Sequence, residues 1–366
     1  MLLQNRSRLA ETGFDFACSN SFPNLHPFVG PGHGKTLLPQ GFKVSDPEGL
    51  IRELTSGKQA AVVGSSENFS FFFEPDRVAD LAALLRPHFA EIRIITYLRR
   101  QDRHAISHHQ EGAKPNRSPE GALWGHAPVA LPPHDPAQDL YLDYEARLMP
   151  WARAFGEGNM IIRVYDRTAL KQQDIAADFL SLIGLDTGNF QPVDDRNISL
   201  GAAQAKIGHL LADANVAIDV VSSILKSMPR TGRLRPSRDE AQRFMSHYVD
   251  SNRRLNARFG ISAEPDLFDA DFSDYPDEPQ SDWTEETASD AMRALLLHLD
   301  GSLPALSVDD LRTAAEVLQK TKPLVALRLV RAALTLRPKG PALLKLQDRL
   351  QGRLSPGATQ DPTALS

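Results

Sequence analysis

The sequence predicts an α/β protein, with a parallel sheet flanked by helices and a helical extension at the C-terminus. Three apolar, β-branched runs have the length of buried strands: 60–64, 92–98 and 160–165. Between and after them, apolar residues recur with the helical period over longer stretches: 76–85, 102–111, 140–155 and 174–183. Strands that alternate with helices at this spacing form βαβ units, and such units build parallel sheets.

Two regions without periodicity interrupt this pattern. Residues 19–59 begin rich in Gly, Pro and Asn, which predicts a long loop followed by a short helix near 47–54. Residues 113–139 are rich in Pro, His and Gly. Loops of that length inside compact domains are usually functional or mobile. We therefore expect the second region to shape a substrate site.

A shift in composition predicts the domain organisation. No Lys or Arg occurs between Arg258 and Arg293, whereas ten Asp or Glu occur in 264–286. The sequence thus predicts four parts, namely a catalytic-type domain, an acidic linker, a helical extension and a disordered tail: 1–263, 264–283, 284–350 and 351–366. Part of the extension resembles a tetratricopeptide repeat, and a terminal helical bundle is the alternative. We expect this extension to offer a surface for a protein partner.

Composition excludes several classes of function. The formal net charge of −5 argues against non-specific binding of nucleic acid, because the chain has no overall cationic field. A single cysteine, Cys18, excludes an intrachain disulfide and fits a reducing compartment. No apolar run approaches the ~20 residues of a membrane span, and the first residues lack the apolar region of a signal peptide. The expected location is the cytoplasm.

The segment 92–110, IRIITYLRRQDRHAISHHQ, carries the strongest chemical signal. A strand ends at Leu98, Arg99 follows at the carboxyl edge where α/β proteins bind ligands, and a helix then begins. The N–H groups and dipole of that helix would lie beside the arginine, and Ser107 follows eight residues later. A guanidinium fork with hydroxyl donors suits a phosphate dianion. The alternative is a surface helix with solvated charges.

The run YLRRQDRHAISHH resembles the segment of PAPS-dependent sulfotransferases that binds the 3′-phosphate of the donor. That resemblance implies that Arg99 and Ser107 hold the 3′-phosphate, with PAPS as co-substrate. Further stretches, covering roughly residues 1–260, are similar to a bacterial branch of the family: LLQNRSRLAETGF, VVGSSENF, LDYEARLMPWARAFGEGNMIIRVYDRTAL, DIAADFLSLIGL, NISL and SNRRLNARFG. The fold implied is the P-loop-like fold of sulfotransferases.

Sulfuryl transfer needs a general base that accepts the proton of the acceptor. Members of the family use Glu or His for this task. Glu67 follows the strand at 60–64 and is the first candidate, with a role as a helix cap or loop carboxylate as its alternative. His108 is the second candidate, and the histidines at 104, 108 and 109 otherwise predict surface positions.

One departure from the family pattern concerns the start of the chain. Sulfotransferases open with a strand and a Lys-x-Gly-Thr-Thr loop that wraps the 5′-phosphosulfate, and a helix follows. Here the part that resembles this helix starts at Met1, has no N-cap residue before it and ends at Gly13. The expectation is that the start lies upstream or that donor chemistry is lost.

Residue spacing argues against two other interpretations of the motifs, a Walker A loop and a metal site. Residues 30–36, GPGHGKT, resemble a Walker A loop but have three residues between the outer glycines instead of four, and no strand precedes them. This disfavours a P-loop kinase or NTPase. The histidines lack metal-ligand spacing with carboxylates and Cys18 stands alone, so no metal site is predicted.

Taken with the resemblance, these observations predict transfer of a sulfuryl group from PAPS to a hydroxyl or amine acceptor, a saccharide being one candidate. Without the donor loop the chain would bind PAPS weakly and turn over little. The rival hypothesis is a non-catalytic binding or scaffold protein, built on a degenerate sulfotransferase domain with a helical interaction arm.

Overall fold

The computed structural model describes residues 2–19, 24–31, 42–115, 119–191, 199–302 and 307–354. The chain divides into two compact units, Met1–Met292 and Arg293–Ser366. Parallel strands flanked by helices make up the first unit, which confirms the predicted α/β class. In the described part of the chain, none of the helices is both long enough and apolar enough to cross a bilayer.

Among the described residues, six short strands form three two-stranded sheets. The strands are β1 (Phe14–Ala17), β2 (Val29–Pro31), β3 (Phe42–Val44), β4 (Ala61–Gly64), β5 (Ile94–Leu98) and β6 (Met160–Val164). β1 pairs parallel with β4, with Phe14 opposite Ala61. β5 pairs parallel with β6, with Ile94 opposite Met160, and β2 pairs antiparallel with β3. The predicted strands at 60–64, 92–98 and 160–165 thus correspond to β4, β5 and β6.

Most helices of the first unit lie close to stretches predicted as helical, whereas the helix at 119–124 falls in the region 113–139, which was predicted as a loop. The helices are α1 (Arg6–Glu11), α2 (Pro47–Thr55), α3 (Pro75–Leu85), α4 (Gln101–Gly112), α5 (Pro119–Trp124), α6 (Asp139–Leu142), α7 (Tyr144–Phe155), α8 (Ile175–Leu182), α9 (Ala202–Asp213), α10 (Ile218–Ser227), α11 (Arg238–Ser246) and α12 (Val249–Phe259). α13 (Glu285–Ser302) crosses the division between the units. The stretch 140–155 contains two helices because Asp143 caps α7, accepting a hydrogen bond from the N–H of Ala146 at 3.1 Å.

Three strands were not predicted. β1 is only four residues long and directly follows Gly13, so the alternation in FDFA is too short to predict a strand by itself. β2 and β3 have three residues each and lie in the region predicted as a loop. Such short strands exist because tertiary neighbours complete their hydrogen bonding. Of the Walker-like run, only residues 30 and 31 are described, in β2, and residues 32–36 lie outside the described residues.

Apolar side chains cover both faces of the parallel strands. On one face, Val62 of β4 and Ile94 of β5 belong to the main core, together with residues of α3 and α7 such as Leu81 and Trp151. On the other face, Leu9, Phe16, Val63 and Leu180 form a smaller cluster that joins α1, β1, β4 and α8. Apolar helices therefore cover both faces of the pair β1 and β4, whereas α8 meets the pair β5 and β6 through the polar contacts of Asp178 with Tyr97 and Arg163.

The acidic stretch 264–283 is part of the first unit instead of a linker. Leu267 and Tyr275 are buried, and the Tyr275 hydroxyl donates to Asp102 Oδ2 at 2.8 Å. Asp269 pairs with the buried Arg100 at 3.0 Å. The acidic composition of this stretch predicted a solvated linker. One of its carboxylates, Asp269, instead neutralises the buried Arg100, and composition alone does not show such a contact.

The second unit contains three consecutive helices, α14 (Val308–Leu318), α15 (Pro323–Leu336) and α16 (Pro341–Leu354). Their core is made of small and branched apolar residues: Leu311, Ala315, Ala326, Leu327, Val330, Ala333, Leu343, Leu346 and Leu350. Residues 351–354 were predicted as part of a disordered tail but belong to α16, and residues 355–366 lie outside the described part.

Two histidines stack in the contact between α4 and α9. The rings of His109 and His209 lie 4.0 Å apart and nearly parallel, and both residues are 1% exposed. His109 Nε2–H donates to the Ala127 carbonyl at 2.9 Å, while Nδ1 of each ring has no hydrogen-bond partner among the described residues. The predicted surface position is thus wrong for His109. Burial lowers the pKa of His109 to about 4 and that of His209 to about 3.

These histidines predict that the protein loses stability in mild acid. Both are neutral when folded and protonate near pH 6.5 when unfolded, so the unfolded state binds more protons below that pH. The free energy of unfolding should be at its plateau above about pH 6.5 and fall as the pH drops towards 4, by about 1.4 kcal/mol per unit of pKa difference. Urea unfolding between pH 7.5 and 5 measures this.

The matched comparison is His209→Gln, which removes one of the two titrating rings. Its free energy of unfolding should depend less steeply on pH across the same window, whatever its absolute value. An equal slope in both proteins would contradict the assignment to the stacked histidines.

Candidate anion site at the carboxyl ends of β5 and β6

A cavity of about 240 Å³ lies at the carboxyl ends of β5 and β6. We call it the arginine pocket because four arginines line it: Arg99, Arg100, Arg103 and Arg163. The remaining walls come from the loop after β6, including Asp166 and Thr168, and from the segment after α12, including Ser262 and Asp269. The strand–helix junction of β5 and α4 therefore places several cations at the edge predicted to bind a ligand.

Arg100 is a structural cation buried at this junction. It is 3% exposed, and its Nε and second terminal nitrogen donate to the two Asp102 carboxylate oxygens at 2.9 Å each. Its other nitrogen reaches Asp269, and the guanidinium lies 4.3 Å from the ring centre of Phe272. Burial by itself would lower the pKa of Arg100, but the hydrogen bonds and charge of Asp102 keep it above its ordinary value.

Arg103 and Arg163 are also neutralised by carboxylates. Arg103 lies 3.4 Å from Asp166 and 3.3 Å from Asp274. Arg163 donates two hydrogen bonds to the buried Asp178, at 3.2 and 2.8 Å. Asp166 in turn accepts from the hydroxyl and the N–H of Thr168, which lower the pKa of its carboxyl. Each of these arginines is committed to a partner inside the fold.

Arg99 is the exception in the pocket. Its guanidinium is half-buried and makes no ion pair or hydrogen bond with any residue that the structure describes. Its backbone is held in place, since the Tyr144 hydroxyl donates to the Arg99 carbonyl at 2.6 Å. His104 Nδ1–H donates to the same hydroxyl at 2.8 Å, and burial keeps the pKa of His104 well below its usual value. A fixed backbone with an uncompensated guanidinium suits an anionic ligand.

Ser107 lies on α4, one turn beyond Arg103 on the same side of the helix. It is half-buried and does not belong to the described residues that line the arginine pocket. The structure therefore places Arg99 at the pocket, just before α4, and Ser107 on α4 outside the pocket lining, and it shows no contact between the two. The N-terminus of α4 has no side-chain cap, and its first turn faces the same junction.

Glu67 lies on the exposed surface just after β4, in a short 3₁₀ helix. The cap of that helix is Ser66, whose hydroxyl accepts from the N–H of Asn68 at 3.2 Å, so capping is not the task of Glu67. Among the described residues, Glu67 does not line the arginine pocket. Glu67 and Arg99 thus follow strands of two different sheets, β4 and β5.

His108 is part of an aromatic cluster. Its ring stacks on Tyr141 with centroids 4.7 Å apart and lies 6.2 Å from Phe71. The Trp124 indole N–H donates to His108 Nδ1 at 2.9 Å. His108 Nδ1 accepts a hydrogen bond and its ring is stacked, so His108 packs as a core side chain. These contacts do not favour His108 as the general base.

Two residues of the site escaped the sequence analysis. Arg163 is a charged residue inside the otherwise apolar strand β6, and this exception in the sequence could have indicated a site residue. Nothing in the sequence around Tyr144 indicates that it belongs to the site, because its hydroxyl binds the Arg99 carbonyl, 45 residues away along the chain. No group of three or more His, Cys, Asp or Glu suited to a metal ion occurs in the described ranges.

Comparisons with known proteins leave the family open. No protein-family model matches the chain. A stretch of 96 residues is 32% identical to an uncharacterized protein of Archaeoglobus fulgidus, and the match covers 26% of this chain and 23% of the archaeal protein. This chain thus spans about a quarter of the length of that relative. No solved structure matches.

Loss of the Asp102 carboxylate should destabilise the fold strongly. In Asp102→Ala the buried Arg100 charge loses its main partner and the Tyr275 hydroxyl loses its acceptor. Breaking a buried pair in this way costs about 3–5 kcal/mol. Urea unfolding followed by tryptophan fluorescence measures the change.

The control is Arg243→Ala, which breaks an exposed pair with Asp239 one helical turn away. Exposed pairs contribute about 0.2–1 kcal/mol, so this variant should stay close to the unaltered protein. Equal, small changes in both variants would show that the buried pair does not hold the junction together.

Proposed function

We propose that this chain is a sulfotransferase-like protein whose arginine pocket binds the 3′-phosphate of PAPS or of its product PAP. The observation that carries the proposal is the Arg99 guanidinium, which lines the pocket without a partner among the described residues. The resemblance of the segment around Arg99 to the 3′-phosphate segment of sulfotransferases supports the same ligand.

The electrostatics of the pocket fit a dianion. Arg100, Arg103 and Arg163 are already paired, so a ligand phosphate would take the place of the missing carboxylate at Arg99. A guanidinium and a phosphate can form two parallel hydrogen bonds. The uncapped N-terminus of α4 adds backbone N–H groups beside that cation. Ser107 would contribute a hydroxyl from the next turns of the helix.

In the proposed reaction, the sulfuryl group moves from PAPS to a hydroxyl or amine. The bond between sulfur and the bridging oxygen of the donor breaks, PAP leaves with that oxygen, and a bond forms between sulfur and the acceptor atom. The acceptor proton goes to a base, for which Glu67 is the candidate. Arg99 holds the donor and does not touch the reacting sulfur, so its contribution is positioning.

A non-catalytic binding protein is the second candidate. The position of Glu67 favours it, because that carboxylate is exposed and does not line the arginine pocket among the described residues. Exposed apolar side chains in the second unit, Val317, Leu324 and Leu336, would suit a protein partner.

Titration of PAP into the protein and into Arg99→Ala tests the ligand. Loss of hydrogen bonds to a charged group costs about 1.5–3 kcal/mol, so the Kd should rise about 10- to 150-fold. Arg93→Ala is the matched control, because Arg93 lies just before the amino end of the same strand. It should leave the Kd unchanged.

AMP, which lacks the 3′-phosphate, should bind both proteins equally and weakly. Identical PAP affinities for the unaltered protein and Arg99→Ala would overturn the proposed site.

Glu67→Gln tests the catalytic part of the proposal. Release of 4-nitrophenol from 4-nitrophenyl sulfate in the presence of PAP reports sulfuryl transfer in reverse. In this direction the Glu67 carboxyl would return the proton to the departing phenol oxygen, so its loss should lower the rate while PAP affinity stays the same. The loss should be smaller than the roughly 10²–10⁴-fold of general acid–base catalysis, because 4-nitrophenolate is already a good leaving group. PAP binding without nitrophenol release by the unaltered protein would favour the binding protein, and an unchanged rate in Glu67→Gln would reject Glu67 as the base.

A further inference from the structure

The second unit has a strong excess of positive charge. Between residues 320 and 354 the chain has nine Lys or Arg and a single acidic residue, Asp348, although the whole chain has a formal net charge of −5. None of the nine cations forms an ion pair with a residue that the structure describes. All of them are exposed: Lys320, Lys322, Arg328, Arg331, Arg337, Lys339, Lys345, Arg349 and Arg353.

The acidic residues of α14 do not supply the missing negative charge. Asp309 and Glu316 lie 3.5 and 4.0 Å from Arg312, so both already have a cationic partner. Asp310 belongs to the capping box at the start of the same helix. The positive charge of α15, of α16 and of the residues before α15 therefore has no counterpart within the described part of this unit.

One face of α15 is apolar as well as basic. Leu324, Arg328 and Arg331 lie on the same side of the helix because they are three or four residues apart. Val325 and Leu336 flank this side. The exposed fractions of the three apolar side chains are 65% for Leu324, 42% for Val325 and 62% for Leu336. Large exposed apolar side chains next to arginines are typical of an interaction surface. We call these five residues the basic face.

We propose that the basic face binds an acidic, amphipathic helix of a partner protein. The carboxylates of that helix would pair with Arg328 and Arg331, since a guanidinium and a carboxylate can form two parallel hydrogen bonds. Its apolar side chains would cover Leu324, Val325 and Leu336. The rise from Leu324 to Leu336 is about 18 Å, so a partner helix of about 13 residues is long enough to contact the whole face.

The composition of the unit favours a protein over other polyanions. Proteins that bind single-stranded nucleic acid stack aromatic side chains on the bases, and residues 307–354 contain no Phe, Tyr or Trp. Trp and Tyr are also the residues enriched where proteins meet the surface of a membrane. The sequence beside the unit supplies little acid, because 303–306 and 355–366 contain a single Asp or Glu between them. An acidic helix with apolar residues matches both the charge and the exposed side chains.

Fluorescence anisotropy with the full chain tests the proposal. The probe is a labelled peptide of about 14 residues, with Glu and Leu placed at helical spacing on one face. It should bind saturably. Arg328→Glu should raise the Kd about tenfold or more, because a carboxylate would then face the acidic peptide. Leu324→Ser should raise the Kd about tenfold as well, because the apolar part of the contact is lost.

Two controls separate this contact from general attraction between charges. Lys226→Glu makes the same change of charge at an exposed residue of α10, in the first unit, and should leave the Kd unchanged. A peptide of equal composition in scrambled order has no apolar face and should bind about tenfold more weakly. Circular dichroism of each variant should match that of the unaltered protein. The inference depends on the second unit alone and holds whatever ligand the arginine pocket binds.

Equal weakening by Arg328→Glu and Lys226→Glu, or equal binding of the two peptides, would show that only net charge matters and would overturn the proposal. Absence of peptide binding would overturn it too. Tighter binding of a single-stranded oligonucleotide or of phosphatidylserine vesicles, with the same dependence on Arg328, would assign the face to that polyanion. Self-association of the protein alone in sedimentation, lost in Arg328→Glu, would assign it to a second copy of the chain.

Discussion

The ion pair between Arg100 and Asp102 is the interaction on which the site depends. A charge buried at the end of a strand must be neutralised, and Asp102 does this from the first turn of the following helix. Asp269 and Tyr275 complete the shell and bring the acidic segment onto the junction. Arg100 is buried and paired with Asp102, whereas the preceding residue, Arg99, lines the arginine pocket. The adjacent arginines thus have opposite tasks, one structural and one open to a ligand.

The candidate base and the candidate anion site follow strands of two different sheets. The carboxyl end of β5 supports the arginine pocket, whereas Glu67 follows β4. Among the described residues, β4 pairs with β1 and β5 pairs with β6, and no ladder joins β4 to β5. The distance between Glu67 and Arg99 is therefore set by the helices and loops between these two strand pairs.

The histidines of α4 pack against other side chains of the first unit. His104 and His108 lie one turn apart on one side of α4 and contact Tyr144 and Tyr141, and His109 lies on another side and stacks on His209. Imidazole rings can stand among aromatic side chains when they are neutral, and burial favours the neutral form. A short sequence with several histidines resembles a catalytic or exposed helix, but the surroundings of each ring come from α7, α6 and α9, far away along the chain.

The sequence by itself determined the alternation of strands and helices, the position of β4, β5 and β6, and the arginine at the carboxyl end of β5. These features are local, because periodicity, β-branching and caps act within a few residues. Tertiary structure alone decided which arginine is paired, that residues 264–283 belong to the first unit, that His109 is buried, and that β4 and β5 stay apart. These features depend on partners distant along the chain, such as Asp269 for Arg100 and Ala127 and His209 for His109. Pairing of that kind leaves no periodic trace in the sequence.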